Sequence, residues 1–380
     1  MENSQSGNSR KDNNTKDIAT LRRQIDELDD QILALIQRRL SSARAIGQIK
    51  QHTGVTVVDS RREREIYQRL ISLNQRALTS GSLYCIFRSI IAASRAAQDP
   101  QNEAGEPPIY AVFGDPVGHS LSPVMHNSAL AHAGLDGYYL AFRVKDIAAA
   151  VNGIRGLGIR GASITIPHKV TVMKYLDQVD SLAAEIGAVN TVLNRQGVLH
   201  GYNSDCDGAI KALTEKSSIN GREVAVVGAG GGARAVGFGI QQAGGHLTLI
   251  NRTRKTGEKL ASDLDCEFKP LSEIDQLPYD IIINATSAGM TPHDDSVPLD
   301  THLLESGMIV MDIVYNPLKT RFLTEAEKLG CITVDGVSMF VHQGAVQFEL
   351  WTGRKAPVDI MRRVVLDELK VSRKGAETPR

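Results

Sequence analysis

The sequence predicts an all-α helical domain of the kind that pairs with a second copy, followed by an α/β region of two lobes, one of them Rossmann-like. Three observations predict it. Residues from about 18 to 98 contain no proline and only one glycine, Gly47, before Gly54. The stretch DPQNEAGEPP, 99–108, is a polar, proline-bearing linker. Beyond it, short β-rich runs alternate with helical patterns and glycine turns up to about residue 336, the pattern of a mainly parallel sheet.

Composition narrows the function classes. With 42% hydrophobic and 23% charged residues, the 380-residue chain reads as ordinary globular protein of two or three domains. Its zero formal net charge gives no global electrostatic case for nucleic acid or an anionic membrane. The four cysteines, Cys85, Cys206, Cys266 and Cys331, form no C-x-x-C pair, which argues against zinc or a disulfide framework and suits a reducing cytoplasm. No histidine spacing suggests a metal, and no apolar run reaches membrane-spanning length. Residues 1–18 and 371–380 are polar enough to read as tails, and the first lacks the apolar core of a signal peptide.

In the helical region, Ile25, Leu28, Ile32, Leu35, Ile36, Leu40, Ala43, Ile46 and Ile49 recur at three- and four-residue spacing. This is one long amphipathic helix over roughly 19–51, with shorter helices near 60–77 and 81–98. Two short helices cannot bury so long a stripe, so a dimer is expected. Arg39 and Lys50 stand eleven positions apart, within about 20° of each other at about 100° per residue. Arg22 lies about 25 Å before Arg39 on another face, out of reach of a shared pocket in the same chain but within reach of an antiparallel partner's. Taken singly, each of these is an ordinary surface charge.

The strings LRRQIDELDDQILALIQRRLSSARAIGQIK, DSRRERE and IIAASRAAQ together resemble the helical class of chorismate mutase over about 80 residues. The resemblance implies that Arg22, Arg39 and Arg62 bind a dicarboxylate, with Arg22 acting in the other subunit's site. It places the ether-oxygen lysine on Lys50, acidic partners on Asp59 and Glu63, and the end of the site on Ser94 and Gln98. The chemistry suits these residue types. A Claisen rearrangement needs its substrate clamped as a chair and charge on the ether oxygen stabilised, which bidentate arginines, Lys50 and the neutral amide of Gln98 can supply. The other reading is a helical dimerisation or regulatory arm without the reaction.

In the α/β region, the apolar run EVAVV, 223–227, precedes Gly228-Ala229-Gly230-Gly231-Gly232-Ala233 and an apolar helix from about Arg234. This G-x-G-x-x-A pattern lets backbone approach a pyrophosphate at a helix N-terminus. The next strand ends in Asn251-Arg252-Thr253, where an NAD enzyme usually has an acidic residue; arginine suits a 2′-phosphate, so NADP is the expected cofactor.

Around this unit lie polar clusters in apolar surroundings: Ser120-Leu121-Ser122, SITIPHK ending at Lys169, GAVNT with Asn190, GYNSD ending at Asp205, NATSAGM with Thr286, DIVYNP with Tyr315, and DGVSMFVHQGAVQFELW with Met339 and Gln343. Singly they read as caps, turns and surface lysines. Together they resemble shikimate dehydrogenase over essentially all of 109–370. The resemblance implies that Ser120 and Ser122 bind the substrate carboxylate, and that Thr165, Asn190, Tyr315 and Gln343 hold its ring. Lys169 and Asp205 would be the catalytic pair, Gly228 to Ala233 would hold the pyrophosphate, and Asn251, Arg252 and Thr253 the adenosine phosphate. Thr286 and Met339 would lie near the nicotinamide. Bottom-up chemistry agrees on the pair, because hydride transfer to a ketone creates an alkoxide and needs a nearby proton donor.

Three positions depart from the family pattern. Ser163 stands for the usual Asn, Ser204 for the usual Thr, and Thr256 for a common second arginine. The first two loosen the expected substrate contacts, and the third weakens the NADP expectation.

The expected architecture is a mutase domain at 19–98 and a two-lobe dehydrogenase at 109–370. Its substrate lobe takes 109–207 and 337–370, its NADP lobe takes 208–336, and the site lies in the cleft between them. The expected function is a cytoplasmic homodimeric bifunctional enzyme that rearranges chorismate to prephenate and reduces 3-dehydroshikimate to shikimate with NADPH. The alternative is a quinate/shikimate dehydrogenase with a non-catalytic helical module. The partners expected are small-molecule substrates only.

Overall fold

The computed structural model describes residues 6–53, 59–74, 78–98 and 107–376. The chain divides into two compact units. One takes the long helix α1 (Ser6–Thr53), the start of α2 (Ser60–Leu73) up to Glu63, and α3 (Ser80–Gln98) from Ile86 onward. The other takes Arg64–Cys85 together with the whole α/β region. The division therefore falls inside α2 and α3, whereas the sequence predicts a boundary in the linker at 99–108. Most of that linker lies outside the described residues.

In the first unit, α1 starts at Ser6, well before the position near 19 that hydrophobic periodicity marks. Polar residues nucleate helix poorly but extend one already formed, at little cost per residue. Residues expected to form the first tail are thus helical from Ser6, and the last helix of the chain likewise runs to Ala376, into the expected second tail. Along α1, Ile18, Leu21, Ile25, Leu28, Ile32 and Leu35 repeat at alternating three and four residues, and each is more than half exposed. Gly47 permits a close approach in the same unit, since a Cβ there would overlap the Gln98 carbonyl.

The α/β region begins with β1 (Ile109–Gly114), α4 (Ser122–Ala133), β2 (Tyr138–Arg143), α5 (Ile147–Gly156) and β3 (Gly161–Ile164). It continues through β4 (Gln178–Val179), α6 (Ser181–Ile186), β5 (Thr191–Arg195), β6 (Val198–Tyr202) and α7 (Asp205–Thr214). These strands form one six-stranded sheet in the order β2-β1-β3-β5-β6-β4. β1 runs parallel to β2 and β3, whereas β5 is antiparallel to β3 and to β6.

A second six-stranded sheet follows. Its elements are β7 (Glu223–Val227), α8 (Gly231–Gln242), β8 (His246–Asn251), α9 (Arg254–Leu264), β9 (Glu267–Pro270), β10 (Ile281–Asn284), β11 (Ile309–Asp312), α10 (Arg321–Lys328) and β12 (Ile332–Val334). The order is β12-β11-β10-β7-β8-β9, and every pairing is parallel. This is the doubly wound arrangement, and β7 lies beside the point where strand order reverses, so the turn after it is where such folds bind ligands.

The last two helices, α11 (Gly336–Thr352) and α12 (Val358–Ala376), return to the first sheet. Val337, Val341, Phe348 and Trp351 of α11, with Met361 and Val365 of α12, pack against Tyr110, Val112, Met125 and Leu130. The apolar interior on the opposite face of that sheet is built around Ala111, Phe113, Val151, Ile164 and Val192.

Candidate functional site

Two constellations take shape, one in each unit. In the helical unit, Arg39 is half-buried on α1, and its Nη1 donates to the Ile90 carbonyl at 3.2 Å and to the buried Ser94 hydroxyl. Arg39 and Ser94 are thereby brought together across α1 and α3. Lys50 is half-buried on the same helix as Arg39. Gln98 ends α3, and its Oε1 is buried without a hydrogen-bond partner. A buried amide oxygen left unpaired costs about 1–3 kcal/mol, so an orphan of this kind marks a place where a ligand donor or water completes the site.

The acidic positions do something more structural. The Asp59 carboxylate caps α2, accepting from Arg62 N at 2.9 Å. Glu63 is buried in a two-pronged pair with Arg95, whose Nε donates at 2.6 Å and whose Nη2 contacts the other carboxylate oxygen. Sequence reasoning missed Arg95, although it stands beside Ser94. Arg22 and Arg62 are exposed.

The second constellation sits where β3, α7 and the turn after β7 meet. Lys169 follows β3 and Asp205 opens α7; Lys169 Nζ lies 2.5 Å from Asp205 Oδ2, with both side chains largely buried. The Asn203 side chain accepts from Asp205 N at 3.0 Å and fixes this turn. Asn190 donates to Ser204 Oγ at 3.0 Å and accepts from Ser204 N at 2.8 Å and from the Thr191 hydroxyl at 2.7 Å. Ser204 thus makes a saturated junction with Asn190 and Thr191.

Ser163 is held in the same manner. Its Oγ accepts from the Tyr139 hydroxyl at 2.6 Å and donates to Gln347 Oε1 at 2.7 Å. Gln347 Nε2 donates in turn to Thr191 Oγ1 at 3.0 Å. Tyr139 and Gln347, neither of them foreseen, complete the hydrogen bonds of Ser163 in a buried polar layer. The signal was available, since Gln347 lies one helical turn beyond Gln343 on α11. His126 stacks on Tyr139 at 4.4 Å, and complete burial lowers its pKa to about 3, so it is a neutral member of this layer.

Ser120 accepts from Ser122 N at 3.3 Å, and the Tyr315 phenol interacts with the Ser120 side chain and with Leu121 backbone. Burial raises the Tyr315 pKa, and its ring stacks on Phe340 at 4.3 Å. Gln343 Nε2 donates to the Phe340 carbonyl at 2.8 Å. Ser120, Ser122, Tyr315 and Gln343 therefore belong to one connected neighbourhood. Thr165 is partly buried, with its backbone N donating to the Phe113 carbonyl at 2.9 Å.

The glycine turn adjoins the Lys169–Asp205 couple. Gly228 has φ 126°, and a Cβ there would meet the Ala285 carbonyl at 2.9 Å. A Cβ at Gly231, the first residue of α8, would lie 3.3 Å from Lys169 Cβ. At Gly230 a Cβ would meet nothing within 4 Å, which leaves an open cradle at the N-terminus of a twelve-residue helix. At the tip of β8, Asn251 donates to the Thr253 carbonyl and to Thr256 Oγ1, so Thr256 pins the turn. Arg252 is exposed there and engages no other described residue. Arg254, by contrast, is committed to Glu258 and Glu273. The cradle and the lone guanidinium fit a dinucleotide bearing a further phosphate. Thr286 donates to Asn284 Oδ1 at 2.7 Å beside the cradle, and Met339 is buried beneath it.

With this geometry in place, comparison with known proteins is decisive. The chain is 43% identical over 277 residues to the shikimate dehydrogenase (NADP(+)) of Bacillus mycoides, covering 69% of this chain and 98% of that protein. The chain belongs to the shikimate dehydrogenase family. Residues 112–192 match the shikimate dehydrogenase substrate binding domain, and residues 336–366 match the shikimate 5'-dehydrogenase C-terminal domain. The counterpart from Moorella thermoacetica is 43% identical over 281 residues, covering 70% of this chain and 95% of its own length. The crystal structure of the Thermus thermophilus shikimate 5-dehydrogenase, in complex with NADP(H) and shikimate, is 35% identical with a TM-score of 0.64, covering 68% of this chain and 98% of that one. Ahead of the dehydrogenase region, residues 21–99 match chorismate mutase type II. The chain therefore joins a chorismate mutase domain to a shikimate dehydrogenase. Among the described residues, no cluster of metal-ligating side chains is found and no helix is long and apolar enough to cross a membrane.

Proposed function

We propose that the enzyme reduces 3-dehydroshikimate to shikimate with NADPH in its α/β region and rearranges chorismate to prephenate in its helical region. The observation that carries the first half is the Lys169–Asp205 couple, 2.5 Å apart and packed beside the glycine turn. Ser120 and Ser122 bind the substrate carboxylate, and Thr165, Asn190, Tyr315 and Gln343 position the ring and its hydroxyls. The turn from Gly228 to Ala233 would hold NADPH, with Asn251, Arg252 and Thr253 on its adenosine phosphate and Thr286 and Met339 at its nicotinamide end, and the bound cofactor would supply the hydride. Lys169 then gives its Nζ proton to the carbonyl oxygen as charge grows there, and the Asp205 carboxylate holds the ammonium in line.

In the helical region, Arg39 and Arg62 clamp the two carboxylates while Lys50 and Gln98 address the ether oxygen. Asp59 and Glu63 act on the frame, by capping α2 and fixing Arg95. Arg22 serves the site of a second copy, and the exposed apolar stripe of α1 supports a dimer through that helix.

The test uses the whole chain, because residues 64–85 belong to the compact unit of the dehydrogenase and a fragment ending near 100 would sever them from it. Wild type should interconvert shikimate and 3-dehydroshikimate with NADP in preference to NAD, turn quinate over poorly, and form prephenate in a separate assay. Lys169→Ala should lower dehydrogenase kcat about a thousandfold with little change in KM. A rise in KM alone would make Lys169 a binding residue, and quinate turnover to match shikimate would favour the broader dehydrogenase.

A further inference from the structure

The start of the third helix, α3, packs against α4, the helix that carries Ser122. Thr79 begins α3 as its N-cap, accepting from Ser82 N at 3.0 Å, and its hydroxyl contacts Glu368 of α12. The Ser80 hydroxyl donates to Asp367 Oδ2 at 2.5 Å. Leu83, Tyr84 and Tyr67 are buried, with the two tyrosine rings 4.5 Å apart. Tyr84 Oη lies 3.5 Å from His132 Nδ1, in the last turn of α4.

At the other end of α4 the approach is closer still. Gly81 abuts the first turn, where a Cβ would overlap Val124 Cγ2 and stand 2.9 Å from Glu368 Oε1. Val124 lies two residues beyond Ser122. Its branched side chain is stiff and cannot swing aside cheaply. On its inner side α4 is packed through Met125, Ala129 and Leu130, so pressure on Val124 has nowhere to dissipate except along the turn bearing Ser122.

We propose that residues 79–84 are a positioning element of the dehydrogenase, in which Ser80 anchors the start of α3 to α12 and Gly81 thereby braces the first turn of α4, fixing Ser122 for the substrate carboxylate. The inference rests on the assignment of Ser122 to that carboxylate. Affinity for shikimate is then set partly by residues outside the family's own dehydrogenase domains. By reciprocity, occupation of the carboxylate subsite must bias the seating of α3.

The experiment measures steady-state kinetics of the full chain for Gly81→Ala, Ser80→Ala, Val124→Ala, the double variant Gly81→Ala/Val124→Ala, and Ser122→Ala. Gly81→Ala should raise KM for shikimate about tenfold while kcat and KM for NADP stay within about twofold. Ser80→Ala, which keeps the backbone approach, should raise it about threefold. Val124→Ala, which thins the braced contact, should raise KM about twofold to threefold alone, and should bring KM of the double variant back from about tenfold to that level, because it removes the methyl group that the new Cβ meets. If Ser122→Ala raises KM but Gly81→Ala and Ser80→Ala do not, the bracing is overturned while the carboxylate assignment stands. Lowered melting temperature with unchanged KM, or failure of Val124→Ala to bring KM of the double variant down, also overturns the bracing. An unchanged KM in Ser122→Ala overturns the carboxylate assignment and the bracing with it.

Discussion

A lysine two residues after a proline, in a chain with many lysines, says little by itself; Lys169 gains its meaning from Asp205, thirty-six residues on, and from Gly231, further still. The motif order let the sequence name all three, but only the fold shows the lysine stem lying along the glycine turn. Arg252 is the converse, fully legible as a residue type and position, and without a partner among the described residues. Arg252→Ala should raise KM for NADP about tenfold or more and leave KM for NAD nearly unchanged, since a charge-assisted contact to a phosphate contributes about 1.5–3 kcal/mol. Equal losses with both cofactors would deny it that contact. What stayed hidden at this scale were partners of known residues. Arg95, Tyr139 and Gln347 each complete a hydrogen-bond set whose other members were foreseen. Their selection depends on which side chains meet across elements, and no single-chain periodicity encodes that.

Among elements, the strand–turn–helix of the cofactor half was the most legible, because a buried strand, a run with four glycines and an apolar helix follow one another directly. The least legible was the end of α1, where polar residues continue the helix to Ser6 against their own propensity. The apolar stripe of α1 is both predicted and observed exposed in a single chain. Ile32→Lys would place a charge in the middle of that stripe. On the proposed pairing of α1, which would supply Arg22 to the mutase site only, it should turn a dimer into monomers by analytical ultracentrifugation and abolish prephenate formation, leaving shikimate turnover within about twofold. A variant that stays dimeric, or loses both activities together, would place the subunit contact elsewhere.

For the whole molecule, two buried titratable groups pull stability in opposite senses with pH. His126 has its pKa lowered by burial from 6.5 to about 3. The unfolded chain therefore binds a proton that the native one refuses, and stability falls as pH drops through 6.5. Asp312, on β11, has its pKa raised by burial from 3.8 to about 6 despite hydrogen bonds from Thr320, Val314 and Asn284. Here the native chain holds the proton more tightly, so stability declines as pH rises from 3.8 through about 6 and is level above that. Each group contributes a slope of up to about 1.4 kcal/mol per pH unit in its window. Denaturant titrations between pH 4 and 7 should show His126→Phe flattening the acid loss and Asp312→Asn steepening it. Equal slopes in the three proteins would show that neither group titrates within that window.

The placement of Arg64–Cys85 has a consequence for how this polypeptide changes over generations. A fusion stitched only at its linker would let each half drift alone, but here one short hairpin answers to two chemistries at once. Substitutions at Ser80, Gly81 and Tyr84 should therefore be purged more strictly than those at equally buried positions elsewhere on the same helices, and a gene that split the pair at residue 100 would have to reinvent the support lost beneath α4.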